Sequence, residues 1–145
     1  MSIVGRALLF AWELPQNALG LAALAQFAAR GAVGSVRYER ERIFVEITAD
    51  GAVSLGWFVF FSNRDNPVIP AGRENKDHEY GHSIQSRWLG PLYLPVVGVP
   101  SVARVVYAHV FKLRTGRRWA RYYDGFPEDQ ADRLGGVDRS LRPAP

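Results

Sequence analysis

The chain contains no cysteine. Thiolate metal ligands, a cysteine nucleophile and a disulfide scaffold are therefore excluded, and the composition fits a reducing cytoplasm. Internal repeats and low-complexity tracts are absent too. Histidine is scarce, with three in 145 residues, so a pair of them at a defined spacing carries weight. Uninterrupted apolar runs are also lacking. Residues 7–29 are long enough to cross a bilayer but include Glu13, Pro15, Gln16, Asn17 and Gln26, which are costly at its centre. Residues 92–106 form a shorter run broken by Pro95, Pro100 and Arg104. Neither reads as a standard spanning helix. Only Arg6 precedes the first run, and no small-residue cleavage site stands out, so no signal peptide is expected. The expected location is cytoplasmic, with peripheral contact to a membrane as the variant to test.

With 48% hydrophobic and 22% charged residues, the chain can bury a core without cross-links. One domain over residues 1–140 is expected, followed by a disordered tail at 141–145. The net charge of +4 and pI near 9.8 raise the question of nucleic acid. Arg104, Lys112, Arg114, Arg117, Arg118 and Arg121 cluster, with Trp119, Tyr122 and Tyr123 among them, as stacking platforms would. The charge is modest, however, and no nucleic-acid recognition motif accompanies it. A solvated or phospholipid-facing basic surface is the better reading, and nucleic acid is not expected as a partner.

Against this background His78-Glu79-Tyr80-Gly81-His82 stands out as His-Glu-x-x-His. Residues four apart share a helix face, so both imidazoles can point at one metal ion, and Glu79 is placed beside it as a base. From this chain's composition, about 0.003 such motifs are expected by chance. A lone buried histidine is usually a hydrogen-bonded core residue; two at this spacing around a glutamate favour metal binding.

Residues 127–136 read as a short helix that starts at Pro127, carries acids in its first turn and stops at Gly135-Gly136. Glu128 and Asp132 are four apart and share a face. Glu128 alone could be an ordinary first-turn acid, and Asp132 could pair with Arg133 or Arg139. His109, Asp124 and Asp132 compete with Glu128 as third ligand. The two motifs together resemble the gluzincin metallopeptidases. That resemblance implies zinc held by His78, His82 and Glu128, with Glu79 as general base and Asp132 orienting an imidazole, that of His78 foremost. It also implies a zincin-like fold, hydrolysis of a peptide or protein substrate, and an oxyanion donor drawn from Tyr107, His109, Tyr122 or Tyr123. The stretch from His78 through Gln85-Ser86 to Leu92-Tyr93-Leu94 is also similar to a family of small bacterial proteins of uncharacterised activity.

The expected architecture is α+β, with a small antiparallel hairpin or sheet packed on the His78 helix and on a second, ligand-bearing helix. A helix is expected over residues 15–30, and strands over 36–48 and 52–62 joined into a hairpin at Asp50-Gly51. After a loop at 63–72, the motif helix is expected from Asn75 to Trp88, stopped by Gly90-Pro91. A further helix capped by Ser101 should end near Leu113. An extended peptide could add to the free edge of the hairpin. Two rival functions are a zinc-stabilised domain without catalysis and a membrane-surface or interaction module without metal.

Overall fold

The computed structural model describes residues 2–70 and 74–139. Positions 71 and 72 of the expected loop, and the expected tail at 141–145, lie outside the described residues. The architecture is α+β, with five α-helices and a four-stranded mixed sheet among the described residues.

Helix α1 (Ile3–Trp12) is capped by Ser2, whose hydroxyl accepts from the Gly5 amide at 3.1 Å. It buries none of its residues. The sequence reading had no helix there. Helix α2 (Leu14–Ala29) follows after Glu13, with Pro15 in its first turn, where a missing amide proton costs nothing. Strands β1 (Val33–Glu39), β2 (Arg42–Ile47), β3 (Val53–Leu55) and β4 (Phe58–Phe61) lie in the order β1-β2-β4-β3, with β2 and β4 parallel and the other pairs antiparallel. The expected hairpin at Asp50-Gly51 is therefore not formed. The tight turns fall inside each expected strand instead, at Arg40-Glu41, both with positive φ, and at Gly56-Trp57, where Gly56 has φ 63°. Asp50-Gly51 serves as the crossover between the two hairpins.

This topology puts β4 in the interior of the sheet, which accounts for its unbroken apolar sequence Phe58-Val59-Phe60-Phe61. Alternate side chains then serve different faces. Val45, Ile47, Phe58 and Phe60 pack under Ala23, Leu24 and Phe27 of α2. Phe44, Val59 and Phe61 pack on the other face with Tyr80. Tyr80 belongs to helix α3 (Asn75–Leu89), so the sheet lies between α2 and α3. Buried polar groups also bind the two helices: Glu13 Oε1 accepts from Ser86 Oγ at 2.6 Å and from Arg42 at 3.3 Å, and Gln16 donates to Ser86 Oγ and to the Gly90 carbonyl.

Helix α3 ends at Gly90, whose φ is 51° and whose Cα lies against the Trp12 ring. The chain continues through a 3-10 turn at Gly90–Leu92 and a π-helical stretch at Leu94–Gly98 into α4 (Val99–Thr115). Pro91, Pro95 and Pro100 each lack an amide proton, so a regular i→i−4 ladder cannot run through this region. Ser101 lies within α4 and does not cap it. Helix α5 (Glu128–Gly135) closes on Gly136 in the left-handed region. Leu94–Thr115 is the one helical segment among the described residues long and apolar enough to cross a membrane, and only 11% of that apolar window is buried.

Candidate metal centre

The site is set by how closely α3 and α5 approach. Gly81 in the motif and Gly135 at the end of α5 have no side chains to keep the helices apart. A Cβ at Gly81 would overlap the Ala131 backbone, and one at Gly135 would overlap the Asp77 carbonyl. Ala131, facing Gly81, is fully buried. This small-residue seam lets Glu128, on the first turn of α5, reach across to the histidines of α3.

His78, His82 and Glu128 are all buried, and one ligand atom from each lies within 4.8 Å of the others, an arrangement that could hold a metal ion. The far nitrogens fix the proton positions. His78 Nδ1 is 2.7 Å from Asp132 Oδ1, a pure acceptor when ionised, so Nδ1 carries the proton. His82 Nδ1 is 2.7 Å from Gln85 Oε1. The Gln85 amide nitrogen is committed to the Pro127 carbonyl and to Gln130 Oε1, which turns its oxygen toward His82 and makes that Nδ1 the donor as well. Both Nε2 atoms then offer lone pairs, at 2.9 Å and 3.2 Å from Glu128 Oε2. Three acceptors converge with no donor among them. Only a proton or a metal cation can hold such a set together. Glu128 Oε1 is also buried and has no partner. The residues present thus fit a cation.

The electrostatics describe the first of these occupants, a proton held between the imidazoles and Glu128. Burial alone would raise the Glu128 carboxyl, but hydrogen bonds and charge from His78 and His82 outweigh it and hold the group well below the ordinary carboxylate range. Burial likewise opposes the charged form of Asp132, and His78 and Arg139 outweigh it and lower its pKa. Burial would lower His78, yet Asp132 and Glu128 pull it upward. The neighbouring Glu79 is different: burial pushes its carboxyl up to about 7, against the influence of His82 and a hydrogen bond to the Ser54 backbone.

The other residues expected at the site divide. Asp132 contacts His78 and is at the same time paired with Arg139, while Arg133 pairs with Asp129 at 2.9 Å. His109 and Asp124 do not join the cluster; His109 Nδ1 bonds the Val105 carbonyl and Asp124 pairs with Arg121 on the surface. Tyr122 and Tyr123 are buried and line a cavity of about 840 Å³ that includes all three candidate ligands and Glu79 in its wall. His109 lines it from α4. Tyr107 does not: it lies half-exposed on Trp119, with ring centroids 4.6 Å apart, so its expected place as an oxyanion donor is not met. The edge strand β3, with Val53, Ser54 and Leu55, forms part of the same wall.

Gln85 and Tyr93 are not expected at the site from the sequence, whereas Arg139 is among the expected partners of Asp132. Gln85 follows His82 by three positions, a spacing that places it on the same helical face. Arg139 holds Asp132 from beyond the end of α5 and lies over the Tyr123 ring. Tyr93, in the Pro- and Gly-rich segment, is buried in the cavity wall and donates to the Ser54 carbonyl at 3.1 Å. Comparison of the chain with protein-family models, curated proteins and solved structures gives no match to any of them.

Because Asp132 and Gln85 each fix an imidazole by its far nitrogen, replacing either by Ala should weaken metal binding by about 10–100-fold without abolishing it. Competition against a chromogenic chelator measures the change, and an unaltered affinity would show that neither holds its histidine in place.

Proposed function

We propose that the protein is a zinc-dependent peptide hydrolase with a zincin-like active site. The observation that carries the reading is the convergence of three acceptor atoms from His78, His82 and Glu128 beside the buried carboxyl of Glu79. Two imidazoles and one carboxylate suit zinc, and three protein ligands leave a coordination position open. When bound, zinc supplies Lewis-acid polarisation of a carbonyl and acidification of water. The chain's own residues do the rest. Glu79, in the cavity wall, accepts the proton of the attacking water and returns it to the leaving nitrogen, so it needs both protonation states during a cycle. Tyr122 and Tyr123 line the space where charge would develop and are candidate donors to an oxyanion. On the outer edge of β3 the Ser54 backbone already accepts from Tyr93 and bonds Glu79, so an extended substrate would have to displace those contacts to add there.

A metal-stabilised domain without catalysis is the reading that competes. The cavity favours the enzyme, because a structural site is closed by protein ligands, whereas these face about 840 Å³ of open space. The test is turnover of an unstructured peptide by the zinc-loaded chain and its dependence on Glu79.

A further inference from the structure

We infer that α4 docks on an anionic lipid bilayer and that the cavity opens toward that surface, so that the substrate is an apolar peptide segment drawn from the membrane. The substrate clause rests on the proposed hydrolase; the docking face does not. Val99, Val102, Val106 and Val110 are exposed along α4, with Leu113 beyond them at 86% exposure. At 22 residues, the segment containing α4 is too apolar and too exposed to be a core helix. Two of these residues, Val99 and Val102, also line the cavity together with half-exposed Leu19 of α2 and Val53 of β3. The apolar face and the cavity rim are therefore continuous.

Charge identifies the occupant. No Asp or Glu stands between Glu79 and Asp124, while that stretch has seven basic residues. Lys112, Arg114, Arg117 and Arg118 follow the valines at the C-terminal end of the face. Arg118 pairs with Asp65, but Arg114 and Arg117 are exposed and pair with no carboxylate among the described residues. An apolar helix face ending in free cations matches acyl chains beneath anionic headgroups. A second copy is a poorer partner, because in an isologous contact α4 would meet α4, which has no acidic residue to pair with the basic cluster. The helix lies on the bilayer without crossing it. Arg104, at mid-length, bonds the carbonyls of Arg121, Tyr122 and Asp124 and covers the Trp119 ring, which keeps one side of α4 on the protein body.

Sedimentation of the metal-loaded full chain with phosphatidylcholine vesicles, alone or mixed equally with phosphatidylglycerol, tests the inference. Binding to the anionic vesicles and little to the neutral ones is expected. Each cation near such a surface contributes about fivefold, so Arg114→Ser with Arg117→Ser should weaken binding roughly 25-fold. Val106→Asp with Val110→Asp should abolish it. If that pair disturbs folding by circular dichroism, the arginine pair carries the test alone. Equal binding to both vesicle types, or folded variants that sediment like the parent, overturns the inference. So does a dimer in lipid-free solution that the aspartates make monomeric, which would assign the face to a second copy. Metal content is read on the same preparations. Metal without vesicle binding removes the docking face alone, and vesicle binding without metal removes the hydrolase alone.

Discussion

Glu79→Gln is expected to leave the metal content of the chain unchanged while peptide turnover falls by about 10²–10⁴-fold. The substitution keeps volume and shape but removes the proton acceptor. None of the three candidate ligand atoms belongs to Glu79, and Glu79 neither anchors a histidine nor lies on the Gly81–Ala131 seam, so folding and metal affinity have no reason to change. Paired metal analysis and peptide hydrolysis on the same sample check this. Loss of the metal would turn Glu79 into a ligand or a determinant of the fold. Full metal with undiminished turnover would remove it from the mechanism.

Gly81→Ala is expected to be as damaging to the metal centre as removal of a ligand, although it alters none. Its Cβ would be driven into the Ala131 backbone, which, unlike the end of a flexible side chain, cannot swing aside. Helix α5 must then move away, taking Glu128 with it. Overpacking of this kind costs about 3 kcal/mol at its upper end, a fall in Tm of roughly 10 °C for a chain of this size. Gly98→Ala is the control, because a Cβ there meets nothing closer than 3.7 Å. Thermal melts and metal content of the two variants should separate cleanly. A Gly81→Ala chain that melts and binds metal like the parent would mean that α3 and α5 are not held together along this seam.

The candidate ligands were legible in the sequence because a four-residue spacing means the same helical face wherever the helix lies. The limits of α3 could be read to within a residue, since Gly90-Pro91 stops any helix that reaches it. The hairpins could not. Asp50-Gly51 has the residues of a tight turn, whereas the real turn at Arg40-Glu41 places two charged residues at positive φ, which their types do not announce. Helix α1 was missed because its residues are exposed and apolar together, without the polar face that marks a surface helix. The start of α4 was misplaced because Pro95 and Pro100 suggest breaks, yet proline is tolerated where the helix begins. At the site, Tyr93 reaches the cavity only through tertiary packing. Local pattern carries no trace of that.

The central claim is that His78, His82 and Glu128 bind one metal ion together. Element analysis of the chain purified without chelator, beside Glu128→Ala, tests it most directly. The account predicts close to one zinc per chain for the parent and close to none for a folded Glu128→Ala protein. A parent chain that stays metal-free when offered zinc, or a Glu128→Ala chain that keeps its full complement, would contradict it.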